Sequence, residues 1–184
     1  MPVLALEPST WPPDLFDSEI RPGDTGHWYV YYVRARMEKA VARRLRIRGI
    51  SYFLPMRESR KRYQRRLVCS HLPLFPGYVF VVGDEIASER LTDLKEVVSS
   101  LKVDDQPQID RELRNIHVAL RSGQCVTREE RLEPGAQARI VSGPLAGLCG
   151  EVIKNRHGLR FILRIQFLQQ GVWLEADGSM IEAI

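Results

Sequence analysis

The sequence predicts an α+β N-terminal domain, built from an antiparallel sheet with helices, followed by a small all-β barrel. Residues 27–33 are mostly aromatic or β-branched, which is typical of a central strand covered on both faces. Residues 36–48 show the periodicity of an amphipathic helix, whereas residues 134–184 contain only short β-rich runs separated by glycine. A chain of 184 residues is long enough for two small domains of this kind.

The first helix is predicted over residues 36–48. Met37, Val41 and Leu45 recur every four positions and form its apolar stripe, and Gly49 supplies the expected end. Basic side chains fall on another face of this helix. Seven basic residues between positions 34 and 48 accompany a single acidic residue, so few partners are available for ion pairs within the helix.

Positive charge is concentrated in one segment of the chain. Residues 27–66 carry thirteen basic and two acidic side chains, net +11, whereas the whole chain has a net charge of +4. Residues 57–66 are basic and polar without a packing period, which predicts a mobile hairpin or loop. This segregation favours a polyanion-binding surface over a merely solvated one, and nucleic acid over a membrane.

The remaining segments complete the predicted organisation. Residues 1–26 are rich in proline and lack apolar periodicity, which predicts a disordered leader before a first domain at residues 27–121. Residues 122–133 predict a linker, and residues 134–184 form the second domain. Further elements predicted in the first domain are strands at residues 50–56, 78–82 and 97–103, a helix at residues 84–94, and a helix at residues 110–121 with Asp110 as its N-cap.

The sequence disfavours several classes of function. No apolar run approaches the roughly 18 residues of a membrane helix, and the N-terminus lacks a secretory signal, so we expect a cytoplasmic protein without a membrane partner. Cys69, Cys125 and Cys149 are widely spaced, which predicts neither a disulfide framework nor a metal site. Scattered histidines and the absence of a nucleophile elbow or phosphate loop predict no catalytic residue, no cofactor and no enzymatic activity.

Two sets of motifs occur in the order and spacing that one family uses. The first set is Trp28-Tyr29-Val30, the helix ending at Gly49, Phe53-Leu54-Pro55-Met56 and the run Pro73 to Val81. The second is Leu132-Glu133-Pro134-Gly135, Gly143-Pro144, Gly147 and Gly150-Glu151-Val152. The first set resembles the N-terminal domain of the NusG family, and the second is similar to a KOW motif, the barrel that follows in that family. The leader lies outside the resemblance.

The resemblance implies a non-enzymatic transcription elongation factor that docks on the clamp helices of RNA polymerase and modulates pausing and termination. Carried over by position, the polymerase-binding residues are an aromatic cluster and two positions near the polymerase gate loop: Trp28, Tyr29, Tyr32, Phe75, Tyr78, Phe80, Ser88 and Arg90. Aromatic anchors of this kind are common in interface hot spots. The alternative for Trp28 and Phe80 is a role in the core, and Tyr78 is the first choice for an exposed member.

The resemblance also implies contact with upstream duplex DNA or the non-template strand. The basic side of the helix and the hairpin hold the corresponding positions, which are Arg34, Arg36, Lys39, Arg43, Arg60, Lys61, Arg62, Arg65 and Arg66. Arginine and lysine contacts to phosphates give salt-sensitive and largely sequence-independent attraction. Tyr63 is placed to stack on an unpaired base.

The second domain departs from the common NusG pattern at the residues that contact other partners. Leu148 stands where an aromatic residue is common, and the run Phe167-Leu168-Gln169-Gln170-Gly171 stands where the family commonly has an aromatic residue beside a Gly-Arg pair. These changes would weaken contact with Rho or with a small-ribosomal-subunit protein. Together with the basic hairpin, they favour a specialised antitermination paralogue, which we expect to be a monomer. A KOW-containing ribosome- or RNA-associated binding protein is the alternative function.

Overall fold

The computed structural model describes residues 7–17, 26–63, 66–83, 94–124, 126–129, 135–155, 158–175 and 177–184. The chain divides into two compact units after Gln106. Antiparallel strands dominate the described residues, and two α-helices accompany them. This architecture agrees with the α+β class predicted for the first domain.

The first unit is built on a five-stranded antiparallel sheet. Its elements in chain order are β1 (Thr10–Trp11), β2 (His27–Val33), α1 (Glu38–Ile47), β3 (Ser51–Phe53), β4 (Met56–Tyr63), β5 (Arg66–Pro73), β6 (Tyr78–Gly83) and β7 (Val97–Lys102). The strand order in the sheet is β1-β3-β6-β2-β7. The predicted central strand is confirmed, because β2 pairs with β6 on one side and β7 on the other.

Helix α1 covers one face of this sheet. Val41, Ala42 and Leu45 are each at most 1% exposed and pack in one cluster with Tyr29 and Tyr31 of β2. A core of this kind follows directly from the four-residue period of the apolar positions. The helix is shorter than predicted, because the two residues before Glu38 lie outside it, and Met37 is 41% exposed rather than part of the buried stripe.

An aromatic cluster covers the opposite face, and the leader contributes to it. The Phe16 ring lies 6.1 Å from Trp28 in a stacked arrangement and 4.9 Å from Phe53 edge-on, measured between ring centroids. Strand β1 adds to the sheet by pairing with β3, and Leu15 is buried. The expectation of a disordered leader is therefore wrong for residues 7–17, where apolar side chains find a surface to cover.

The basic segment forms an ordered β-hairpin. Strands β4 and β5 pair in register from Met56 opposite Pro73 to Tyr63 opposite Arg66. This confirms the hairpin that was one of the two predictions for the segment. Side chains of directly opposed residues share a face, so the hairpin presents its cations on both faces rather than on one.

Helix α2 (Gln106–Arg121) begins at the boundary between the two units, and all of it except Gln106 falls in the second. It begins four residues earlier than predicted, so Asp110 is not the N-cap. Instead, Arg114 Nε donates a hydrogen bond to Asp110 Oδ2 at 2.7 Å, one turn further along the helix. The buried residues of the helix are Ile109, Leu113, Ile116 and Ala119. Of the helix predicted at residues 84–94, all but Leu94 lies outside the described residues.

The second unit also contains a six-stranded antiparallel sheet. Its strands are β8 (Thr127–Glu129), β9 (Ala136–Ile140), β10 (Cys149–Asn155), β11 (Gly158–Ile165), β12 (Gln170–Glu175) and β13 (Ile181–Ala183). Their order is β13-β9-β10-β11-β12-β8. Strand β8 lies within the predicted linker, so that prediction is wrong for residues 127–129, which pair with β12. Closure of the sheet into a KOW barrel remains a prediction.

The packing of α1 predicts opposite effects for two neighbouring residues. Leu45→Ala should lower the free energy of unfolding by about 2–5 kcal/mol, because Leu45 is fully buried and truncation leaves a cavity. Ile47→Ala, on the same helix but 75% exposed, should change it by less than about 0.5 kcal/mol. Urea unfolding measures both values. Equal losses for the two variants would contradict the assigned orientation of the helix.

Candidate functional site

The six aromatic residues predicted to contact polymerase occupy two environments. Four of them are no more than 5% exposed and belong to the core of the first unit: Trp28, Tyr29, Phe75 and Phe80. This corrects the prediction that the whole cluster forms a docking surface, because in this structure buried rings have no surface to offer a partner. Tyr32, which is 43% exposed, and the half-buried Tyr78 are the members that reach solvent.

Tyr32 and Tyr78 form a cross-strand pair at the end of β2 and the start of β6. Their backbones are register partners, and their ring centroids lie 5.5 Å apart at an interplanar angle of 48°. Gly77 makes room for this pair, since a Cβ there would lie 3.1 Å from Tyr32 Cε2 and the residue has φ +85°. A tilted aromatic pair with an open side suits an interface anchor.

A buried carboxylate fixes the loop below this pair. Glu38, the first residue of α1, is only 4% exposed, and its Oε1 accepts a hydrogen bond from the Gly77 backbone N–H at 2.7 Å. The Gly77 carbonyl in turn accepts from the Val33 N–H at 2.8 Å. Charge-assisted hydrogen bonds of this kind are stronger than neutral ones. The start of α1, the end of β2 and the entry to β6 are thereby held together.

A groove of about 470 Å³ opens beside the tyrosine pair, between the start of α1 and the base of the hairpin. We call it the α1–hairpin groove; its lining includes Tyr32, Arg36, Lys39, Arg57, His71 and Gly77. Lys39 Nζ donates to the His71 carbonyl at 2.6 Å, which ties the helix to the hairpin. Three cations and one carboxylate, that of Glu38, line this groove, so its net charge is positive and favours an anionic partner.

Arg36 is the most unusual residue of this groove. It has φ +66°, a left-handed conformation that costs a residue with a Cβ about 1 kcal/mol. Its side chain is exposed, as is that of Arg34 two residues before it. Neither has a side-chain partner among the residues that the structure describes. Both guanidinium groups are thus available to a ligand.

The other residues predicted to bind nucleic acid differ in exposure and in hydrogen-bond partners. Arg43 donates to Glu7 at 3.0 Å and Arg60 donates to Glu58 at 2.7 Å, so an internal carboxylate engages each of them. Arg62 is exposed on the hairpin. Only the backbone is described for Lys61, Tyr63 and Arg66. Arg65 and the predicted polymerase contacts Ser88 and Arg90 lie outside the described residues.

The Glu58 carboxylate stands out among the hairpin groups. Hydrogen bonds from Arg60 and from the Cys69 thiol lower the pKa of Glu58 to about 2. The same carboxylate raises the pKa of the Cys69 thiol, because it accepts the thiol hydrogen bond and disfavours a thiolate. Glu58 therefore stays ionised at neutral pH and offsets part of the charge of the hairpin.

Sequence reasoning missed several residues of this site. Glu7 was assigned to a disordered leader, and Glu38 was counted only as the lone acid of a basic helix. Arg57 and His71 were not singled out, although they line the groove. For Glu7 a signal did exist, because the nearby Trp11, Leu15 and Phe16 are apolar side chains that a disordered segment would leave exposed.

In the second unit, the residues predicted to contact a partner also differ in how far they are buried. Leu148 is 6% exposed and belongs to the core, which corrects its assignment to a binding surface. Phe167 is 39% exposed and Leu168 is half-buried. The Arg160 guanidinium lies 4.1 Å from the centroid of the Trp173 ring, a cation–π contact.

Two further observations bear on the kind of site present. Among the described residues, no helix is both long and apolar enough to cross a membrane. In the same part of the chain, no three histidine, cysteine or acidic side chains lie together as metal ligands would. The groove is lined instead by one tyrosine, three cations, the Glu38 carboxylate and apolar residues such as Leu72 and Pro76.

The Glu38–Gly77 hydrogen bond predicts a stability difference between two variants. Glu38→Ala should lower the free energy of unfolding by about 1–3 kcal/mol, because the buried Gly77 N–H loses its acceptor. Glu38→Gln keeps an acceptor oxygen and should lose less. Urea unfolding compares the two variants. If Glu38→Ala is as stable as the wild type, the carboxylate does not hold the loop.

Comparisons with known proteins agree with the geometry of the first unit. The NusG family model, described as transcription termination factor nusG, matches residues 26–116. The solved structure "Domain interaction in Thermotoga maritima NusG" is similar at 23% identity, covering 87% of this chain and 98% of that one, with a TM-score of 0.50, which supports the fold. "Crystal Structure of MjSpt4:Spt5 complex conformation B" covers 85% and 96% at 14% identity, with a TM-score of 0.28.

No curated protein sequence gives a significant match to the chain. The family match nevertheless spans strands β2 to β7, α1 and most of α2. Residues 26–116 therefore form a NusG family domain.

Proposed function

We propose that this chain docks on the clamp helices of RNA polymerase through the Tyr32–Tyr78 pair and modulates pausing and termination. The NusG family match supports a transcription elongation factor with RNA polymerase as its partner, and factors of this family are not enzymes. The observation that carries the docking surface is the exposed tyrosine pair, since the other aromatic residues of the predicted cluster are buried. An aromatic pair of this kind can insert between the side chains of a partner helix pair.

In this proposal the α1–hairpin groove lies against upstream duplex DNA or the non-template strand. Arg34, Arg36 and Arg57 supply charge that is not neutralised by a described side chain, and Arg62 extends it along the hairpin. Contact with phosphates through these groups would be salt-sensitive and largely independent of sequence. The groove adjoins the tyrosine pair, so one surface of the first unit would face polymerase and DNA together.

The second unit acts in this proposal as a KOW barrel with weakened contacts to Rho and to the ribosome. Its exposed aromatic at the predicted position is Phe167, while Leu148 is buried. A surface with a single anchor gives less binding energy than a cluster of aromatic residues. We therefore favour a specialised antitermination paralogue, monomeric and cytoplasmic.

The docking surface is tested by a pull-down of core RNA polymerase. Tyr78→Ala and Tyr32→Ala should each weaken binding about ten-fold or more, because truncating an aromatic hot spot costs roughly 2 kcal/mol. Phe167→Ala removes a similarly exposed aromatic side chain from the second unit and should bind as the wild type does. Single-round transcription through pause and terminator sites should show read-through falling with affinity.

Two outcomes would overturn this proposal. Retention of full affinity by both tyrosine variants would place the polymerase contact elsewhere on the chain. Failure of the wild type to bind polymerase, combined with cofractionation with ribosomes, would favour a KOW-containing ribosome- or RNA-associated protein instead.

A further inference from the structure

Residues 7–17 precede the part of the chain that matches the NusG family, yet they are folded onto the first unit. Strand β1 pairs with β3 at two positions and forms the edge of the sheet. The Ser9 carbonyl accepts a hydrogen bond from the Leu54 N–H at 2.7 Å, and the Tyr52 hydroxyl donates to the Pro8 carbonyl at 3.1 Å. Residues 7–17 therefore pack at a defined position beside the end of α1.

Glu7, the first described residue of this segment, lies beside the basic side chains of α1. It is only 4% exposed, and its two carboxylate oxygens accept hydrogen bonds from two arginines of α1. Arg43 Nε donates to Oε2 at 3.0 Å, and Arg46 Nε donates to Oε1 at 2.9 Å. A carboxylate bound by two guanidinium groups marks a ready-made site for an anion.

The surroundings of Glu7 suit an oxyanion. Burial and the Glu7 charge raise the pKa of the Tyr52 hydroxyl to about 12, so this group stays protonated and remains a hydrogen-bond donor. The Arg43 and Arg46 side chains keep 35% and 38% of their surface exposed even while they bind Glu7. An external anion could therefore reach the same guanidinium groups once Glu7 leaves.

The same helix face leads from this anion site to the α1–hairpin groove. Lys39, Arg43 and Arg46 are spaced by four and three residues, so they lie along one side of α1. Lys39 lines the groove at the start of the helix, about 10 Å along the helix axis from Arg46. A ligand with repeated negative charges, such as a nucleic-acid backbone, matches this row better than a single carboxylate does.

We propose that Arg43, Arg46 and the Tyr52 hydroxyl form a phosphate-binding site that continues the DNA surface, and that residues 7–17 keep it closed with Glu7 as the internal occupant. This inference rests on the proposed DNA contact of the first unit. Release of the segment is a local opening, because its contacts are a two-residue strand, two further hydrogen bonds, the Glu7 ion pairs, Leu15 and the Phe16 ring. Nucleic acid and the segment then compete for the same two arginines.

The test measures binding of a short random-sequence DNA duplex by fluorescence anisotropy, with the full chain, at about 50–200 mM salt. Glu7→Gln should bind about five-fold or more tightly at low salt. Its slope of log K against log salt should be steeper by about 1 to 2, as expected for one or two added phosphate contacts. Amide exchange at Leu54, whose N–H is bonded to Ser9, should accelerate if the segment detaches.

Two controls separate this effect from a general change of charge. Asp14→Asn removes the same charge from an exposed position of the same segment and should leave the affinity unchanged. Adding Arg43→Gln and Arg46→Gln to Glu7→Gln should abolish the gain. If Glu7→Gln and Asp14→Asn strengthen binding equally, the gain is a charge effect and the masked site is disproved.

The measurements distinguish a wrong masking role for Glu7 from a wrong DNA contact of the first unit. If Glu7→Gln binds DNA as the wild type does while Arg36→Gln with Arg57→Gln loses affinity, the DNA surface stands and the masking role is wrong. If neither the wild type nor Glu7→Gln binds DNA with salt dependence, both proposals fail. If Glu7→Gln gains affinity for polymerase but not for DNA, the site takes an acidic protein surface and the phosphate assignment is overturned.

Discussion

Burial of β2 on both faces is the constraint on which the rest of the first unit depends. Alternate side chains of this strand pack beneath α1 and into the aromatic cluster around Phe16, so both layers are fixed by one segment. Pairing with β6 and β7 leaves it no free edge. After the exposed His27 at its start, the strand is buried except at Tyr32, and the exposed ring there is the feature around which a docking surface can form.

Part of the positive charge of the first unit is paired with carboxylates that are close in space although distant in sequence. Of the thirteen basic residues at positions 27–66, Arg43, Arg44 and Arg46 pair with carboxylates of Glu7 and Glu96, which lie elsewhere in the chain. Arg34, Arg36 and Arg57 lack a described side-chain partner and lie near the start of α1 and the hairpin base, while Arg48 and Arg62 lack one at the end of α1 and further along the hairpin. The positive surface of the first unit therefore includes the α1–hairpin groove and continues along the hairpin.

The elements of the first unit could be predicted because their signals are local. The helical period alone predicts the apolar stripe at Val41 and Leu45, and strand propensity alone predicts β2 from its aromatic run. The burial and ion pairs of Glu7 could not be predicted, because they depend on arginines that lie more than thirty residues away in the sequence. The roles of Glu38 and of Trp28 depend on burial, which is a property of the assembled sheet. The grouping of α2 with the second unit is likewise a tertiary outcome.

The proposed contact between the Tyr32–Tyr78 pair and polymerase can be probed by a photo-cross-linking amino acid placed at Tyr32 in transcription elongation complexes. We expect a cross-link to the clamp helices of the largest polymerase subunit. The same group placed at Ile47, which is 75% exposed on α1, should give none at those helices. A Tyr32 substitute that still alters read-through yet never cross-links to polymerase would contradict the account.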